Sequence, residues 1–176
     1  MNLEELKKTI RTVPNFPKKG VMFRDITTLI QDYRTFSYTV KKLASHFLDS
    51  DIDVVVGIES RGFIIGAPVA LELCAGFVPV RKPGKLPYET VHKDYRTEYS
   101  TDSVEMHVDA IEPGQRVLMI DDLIATGGTM KASIELVEQL KGDIVGVAFV
   151  VDLPDLKGKE RLEGYPVLTL VEFEGD

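Results

Sequence analysis

Five apolar runs rich in β-branched residues, at 52–58, 77–80, 117–120, 144–151 and 167–171, constrain this chain more than any other feature. Several are unbroken rather than alternating. A strand with one wet face would carry a polar residue at every second position, so unbroken runs point to strands covered on both faces. Helical spacing fills the intervals: Phe36, Val40, Leu43 and Phe47 fall on one stripe, as do Ile65, Val69 and Leu73, and again Met130, Ile134, Val137 and Leu140. Strand and helix in alternation predict an α/β chain with a mainly parallel sheet. With 176 residues, one domain over 1–176 is expected, able to bury roughly 70% of the surface its unfolded form exposes.

Two segments break the alternation. Residues 13–27, VPNFPKKGVMFRDIT, mix prolines, glycine and aromatics ahead of the first core strand and look like a cover rather than an element of the sheet. Residues 82–103, KPGKLPYETVHKDYRTEYSTDS, are polar and too long for an ordinary connection, which predicts a functional loop or an excursion of two strands.

The formal net charge is -7, so neither nucleic acid nor an anionic membrane is an expected partner, and any phosphate must be held by local geometry. The start MNLEELKKTI has acids and lysines where a secretory signal would be apolar, and no run approaches a membrane span of ~18 residues, so a cytoplasmic location is expected. The one cysteine, Cys74, follows the apolar stretch IIGAPVALEL and reads as a small buried hydrophobe. His46, His92 and His107 form no HExxH-like spacing; solvated or packing roles are expected, not a histidine-built metal site.

The densest chemistry lies in RVLMIDDLIATGGTM, where an apolar strand ends in Asp121 and Asp122 and a turn of Ala125, Thr126, Gly127, Gly128 and Thr129 opens a helix. Unpaired N–H groups and the helix dipole favour an anion at such a start, and the glycines let phosphate oxygens approach the backbone. Two carboxylates at the carboxyl end of a strand can accept hydrogen bonds from vicinal sugar hydroxyls or order a Mg²⁺ shell. Each half alone could be an ordinary strand end or a capped turn. There is no GxxxxGK[ST] and no GxGxxG after a strand. In IESRGF, Arg61 stands just past another strand, level with the acid pair if the two strands are parallel neighbours, and its planar fork suits a pyrophosphate. Lys82 and Lys85 of RKPGKLP could add positive charge, although a solvated cluster reads equally well.

VLMIDDLIATGGTM resembles the motif with which type I phosphoribosyltransferases bind phosphoribosyl pyrophosphate (PRPP), and FPKKGVMFRDIT, ESRGF and RKPGKLP resemble the adenine-using branch of that family, over about 10–173. The resemblance implies a type I phosphoribosyltransferase fold: a mainly parallel central sheet flanked by helices, a small N-terminal hood at about 1–30 and a mobile active-site loop at about 82–103. It also implies a homodimer, and Mg²⁺ bound with PRPP rather than by a protein cage. The implied reaction is purine salvage, transferring 5-phosphoribosyl from PRPP to N9 of adenine to give AMP and pyrophosphate.

By the same resemblance Ala125, Thr126, Gly127, Gly128 and Thr129 hold the 5-phosphate, and Asp121 and Asp122 face the ribose hydroxyls. Glu59, Ser60, Arg61, Lys82 and Lys85 meet the pyrophosphate, with the Glu59–Ser60 peptide cis. Met22, Phe23 and Arg24 meet adenine, Phe23 by stacking and Arg24 through its backbone, and Glu98 in YRTEYS handles a proton on the base. The chain departs from the family at 88–92 and at Glu59, where aspartate is frequent, which bears on loop behaviour more than on chemistry. Two alternatives remain at this point. One is a phosphoribosyltransferase for xanthine, guanine or orotate. The other is a non-catalytic sensor of PRPP or a purine, which would be expected to carry a DNA-binding module or a basic face.

Overall fold

A computed structural model describes residues 1–96 and 101–175. The chain enters through helix α1 (Leu3–Thr9), the strands β1 (Arg11–Pro14) and β2 (Met22–Asp25), and the single turn α2 (Thr27–Ile30). Helix α3 (Tyr33–Ala44) leads to β3 (Val54–Ile58), α4 (Arg61–Glu72) and β4 (Gly76–Val80). After β5 (Thr90–Arg96) and β6 (Thr101–His107) come β7 (Arg116–Ile124), α5 (Gly128–Gln139), β8 (Asp143–Asp152) and β9 (Val167–Glu172).

The five apolar runs form one five-stranded sheet in the order β4-β3-β7-β8-β9, every neighbour pair parallel. Along it Val55, Leu118, Ile120, Ala148 and Val150 face one buried cluster with α1, α2, α3 and α4, through side chains such as Leu6, Leu29, Leu43 and Ile65. Val54, Val56, Val117, Met119, Val147 and Phe149 face a second cluster with Ile134, Leu136 and Val137 of α5 and with Val104 and Met106 of β6. Both faces are dry, which is why these strands read as unbroken apolar runs. Exposing one such side chain would cost about 1.5–3 kcal/mol.

From β3 the chain steps outward to β4, whereas from β7 it steps the other way to β8 and β9. The reversal lies between β3 and β7, and open α/β sheets bind ligands at the carboxyl ends of the strands flanking such a switch. Paired as Gly57 with Ile120, these two strands deliver Arg61 and the acid pair to the same crevice.

Both irregular segments contain strands. Residues 13–27 take in most of the antiparallel β1–β2 pair, which forms its own two-stranded sheet. It is anchored by Leu6, Ile10, Ile26 and Leu29, all buried on the main sheet's α3–α4 side. The 82–103 segment holds β5 and the start of β6, an antiparallel ribbon lying against α5.

Cys74 is a correction: it is exposed, not a buried hydrophobe. It ends α4 in the left-handed region at φ 54°, its N–H donating to the Leu71 carbonyl at 3.2 Å while the Ala75 N–H reaches Ala70 at 2.9 Å. This hydrogen-bond pattern closes a helix by turning its last residue outward, and the helix stripe through Leu73 does not extend to it. Among the described residues no helix is long and apolar enough to cross a membrane.

Candidate active site

Two helices begin at the switch point, and among the described residues no N-cap side chain caps either one. Helix α4 starts at Arg61 behind Ser60, and α5 starts at Gly128 behind Gly127, and neither N-cap residue makes a side-chain hydrogen bond to its first turn. Gly127 takes φ 76°, a left-handed conformation that glycine adopts without a Cβ penalty. The free N–H groups of both first turns are therefore available to anions on adjacent sides of the acid pair.

Asp122 is 3% exposed. Arg61 Nε lies 3.1 Å from its Oδ2, yet that oxygen accepts no aligned hydrogen bond, so the contact is chiefly electrostatic. The Asp122 N–H donates to Asp121 Oδ1 at 2.9 Å. Burial, and then the charge of Asp122, push the Asp121 carboxyl well above its ordinary 3.8. Burial also raises Asp122, with Arg61 pulling it back. Gly62 makes the crowding possible, since a Cβ there would lie 2.8 Å from Asp121 Oδ1.

Two adjoining hollows of about 180 and 110 Å³ open here. The first is lined by Glu59, Ser60, Arg61, Lys82, Asp121 and Asp122, the second by Ala125 through Thr129 with Asp121. A larger one of about 580 Å³ between α1, Arg24 and the end of β9 touches none of these acids and neither helix start.

The Glu59–Ser60 peptide is cis. The Glu59 carboxylate accepts from Arg81 Nε and the Lys82 N–H, both at 2.9 Å, with Lys85 Nζ at 3.4 Å. Burial pushes that carboxyl up, but these partners outweigh it and hold it below its usual value. Lys82 Nζ ion-pairs with Asp102 and donates to the Tyr95 hydroxyl at 3.0 Å.

From the hood, Phe23 reaches the crevice. The Arg61 guanidinium sits 5.2 Å from its ring centroid, and Phe16 packs edge-on at 5.1 Å. Arg24, the next residue, is buried with its guanidinium 4.5 Å from the Phe173 ring. Met22 lies on the same strand, β2, which pairs with β1. Glu98 lies outside the described residues.

Sequence reading named no role for Arg81, Tyr95, Asp102 or Gly62. The glycine of ESRGF and the arginine opening RKPGKLP were visible signals, whereas Tyr95 and Asp102 gain their place only through ribbon pairing, opposite one another in β5 and β6.

An acid pair between two open helix starts, at the switch point of a parallel sheet, defines the site of a phosphoribosyltransferase. The phosphoribosyl transferase domain family matches residues 27–173. An adenine phosphoribosyltransferase of Halothermothrix orenii is 55% identical over 168 residues, 96% of this chain and 99% of that one. The crystal structure of the Thermoanaerobacter pseudethanolicus adenine phosphoribosyltransferase superposes with a TM-score of 0.95 at 48% identity, covering 98% of this chain and 100% of its own. That of Saccharomyces cerevisiae, complexed with an imino-altritol bisphosphate and adenine, gives 0.92 at 41% identity, covering 96% and 98%. The chain belongs to the adenine phosphoribosyltransferase family and has the type I phosphoribosyltransferase fold.

Proposed function

We propose that this protein transfers the 5-phosphoribosyl group of PRPP to N9 of adenine, giving AMP and pyrophosphate, as one phosphoribosyltransferase domain over 1–176. The observation that carries this is the pair of uncapped helix starts flanking Asp121 and Asp122, because PRPP has a phosphate at each end of one ribose. Ala125 to Thr129 take the 5-phosphate on backbone N–H groups. Asp121 and Asp122 accept hydrogen bonds from the ribose hydroxyls. The pyrophosphate lies over Ser60 and Arg61, with Lys82 exchanging Asp102 for a phosphate oxygen, Lys85 adding charge, and Glu59 holding Arg81, Lys82 and Lys85 in register.

Adenine stacks on Phe23 beside Met22, and the backbone of Arg24 reads its Watson–Crick edge. A backbone N–H beside a C=O complements acceptor N1 and donor N6, and would oppose like groups on a 6-oxopurine. The hood at about 1–30 and the 82–103 segment bring the reactants into line and exclude water from C1, whose bond to pyrophosphate breaks as N9 attacks. Glu98 accepts the proton that the base must lose.

Among the described residues no three acids, histidines or cysteines gather as a metal cage. A buried carboxylate oxygen without an aligned donor suits Mg²⁺ that takes its other ligands from water and substrate phosphates. Bound with PRPP, Mg²⁺ would neutralise charge on the departing pyrophosphate. A homodimer is supported by α4, which exposes Ile64 and Leu71 on one apolar stripe. A cytoplasmic location accords with phosphorylated substrates that do not cross membranes.

Steady-state assays of adenine, hypoxanthine, guanine, xanthine and orotate with PRPP and Mg²⁺ test this reading. AMP and pyrophosphate should appear in equal amounts from adenine. A better kcat/KM for another base would overturn the adenine assignment, and PRPP binding without turnover of any base would indicate a sensor.

A further inference from the structure

Against the glycine turn runs a segment to which the sequence drew no attention. After β8 come two short 3-10 turns, Pro154–Leu156 and Gly158–Leu162, separated at Lys157, which adopts the left-handed φ of 53°. There the chain presses backbone against backbone on the 125–127 turn. A Cβ built on Gly127 would lie 2.5 Å from the Gly158 carbonyl oxygen. A Cβ on Gly158 would come closer still to the carbonyl oxygen of Ala125, and within 2.7 Å of Ile124 Cγ1. Real side chains do not tolerate such separations, so two glycines thirty-one positions apart each fit against the other region's backbone only because they carry no Cβ. The Leu153 N–H adds a link, donating to the Ile124 carbonyl at 3.1 Å.

The segment is itself clamped. Lys159 Nζ reaches Asp152 Oδ2 at 2.6 Å, Glu172 Oε1 at 3.2 Å and Thr169 Oγ1 at 3.1 Å. Asp152 is 2% exposed at the end of β8, and Glu172 ends β9. The side chain next to Gly158 is thus tied to the ends of two sheet strands. A backbone so fixed gives the opposing turn a rigid floor, and a turn that binds an anion through N–H groups depends on where those groups point.

We propose that Gly158 is a positioning residue of the transferase: with Lys159 as its clamp, it moulds the Ala125–Gly127 backbone into the form that receives the sugar 5-phosphate. This rests on the proposed assignment of Ala125 to Thr129 to the 5-phosphate. It goes further in naming an element, remote in sequence, whose glycine sets the affinity of that subsite and not of the pyrophosphate side. The atoms nearest a Gly158 Cβ all belong to Ile124 and Ala125, so the pyrophosphate side, built on α4 and the 81–85 stretch, should not register a change there.

The test is calorimetric titration of wild type, Gly158→Ala, Lys159→Met, Lys159→Arg and the exposed-site control Glu160→Ala with ribose 5-phosphate and, separately, with Mg-pyrophosphate, after thermal melts show which are folded. Gly158→Ala and Lys159→Met should bind ribose 5-phosphate about tenfold or more weakly, with pyrophosphate affinity within about twofold of wild type. Lys159→Arg should keep most of the affinity and Glu160→Ala all of it. Should Gly158→Ala fail to fold, the contrast of Lys159→Met with Lys159→Arg decides the matter. Unchanged ribose 5-phosphate affinity in a folded Gly158→Ala or Lys159→Met, or equal losses for both ligands, would overturn the proposal. Wild-type protein that bound pyrophosphate but not ribose 5-phosphate would instead overturn the assignment of the loop itself.

Discussion

Thr129 donates its hydroxyl to the hydroxyl of Tyr95 at 3.0 Å, tying the first turn of α5 to the ribbon. The Tyr95 hydroxyl also accepts from Lys82 and donates to Asp102 at 3.2 Å, so one oxygen joins two residues assigned to substrate phosphates. Tyr95→Phe keeps the ring and removes that junction. It should cost about 1 kcal/mol, lowering Tm by about 2–4 °C, and speed amide exchange along β5. An unchanged melt with unchanged exchange would mean that the 2.7 Å Lys93–Glu135 pair holds the ribbon without Tyr95.

Asp122→Asn should leave the fold intact and lower kcat/KM for PRPP by about 10- to 100-fold. The amide would turn NH₂ donors toward hydroxyls that need an acceptor, and Arg61 would lose the charge 3.1 Å away. Wild-type kcat/KM would remove Asp122 from the ribose site.

The pH dependence follows from the direction of the shifts. The Asp121 carboxyl is raised well above 3.8 by burial first and the Asp122 charge second. A raised folded value means that the native state favours the proton. Stability is therefore undiminished below the unfolded value and is lost as pH climbs through the folded one. Asp121→Asn should accordingly raise Tm at neutral pH, by about 2–4 °C per kcal/mol relieved, and the gain should vanish as pH falls toward 3.8. In the wild type, kcat/KM for PRPP should decline on the acid side well above 3.8, as the pair takes up a proton and stops accepting from the ribose. Melts and rates across a pH series check both; a gain in Tm that persists at low pH would rule out charge as its cause.

Glu98→Gln preserves size and removes the basic oxygen. A kcat loss of about 10² to 10³ is expected, with KM for PRPP little changed. Turnover at the wild-type rate, with chemistry shown to limit it, would leave the proton to water.

Leu71 is 79% exposed and Ile64 42%, seven positions apart on one face of α4. If that face meets a second copy of the chain, Leu71→Arg should shift sedimentation from dimer toward monomer at micromolar concentration. A dimer of undiminished strength would direct attention to another surface.

The parallel sheet was legible because its strands are dry on both sides, and that leaves a direct trace in composition. The 121–129 stretch was legible because strand end, acid pair and glycine turn are contiguous. Cys74 was misread because an apolar helix run gives no sign of the residue at which the helix stops; that depends on which carbonyl the next N–H finds. Tyr95, Asp102 and Gly158 were invisible for another reason: each acts through a neighbour distant in the chain, and no local pattern records which backbone will lie against it. Arg81 was within view, but a lone arginine beside two lysines reads as one more cation until Glu59 is seen to gather all three.

β3 and β7 lie side by side, yet α4, β4 and the whole ribbon separate them in the chain. During synthesis the crevice cannot exist until β7 and α5 have emerged and the long crossover has closed, and non-local pairing of this kind is slow. Nucleotides and PRPP therefore have nothing to grip on a nascent or half-folded chain. They act only on finished molecules, where saturating ligand adds RT ln(1 + [L]/Kd) to stability, so substrate abundance would govern how long the protein persists rather than how readily it forms.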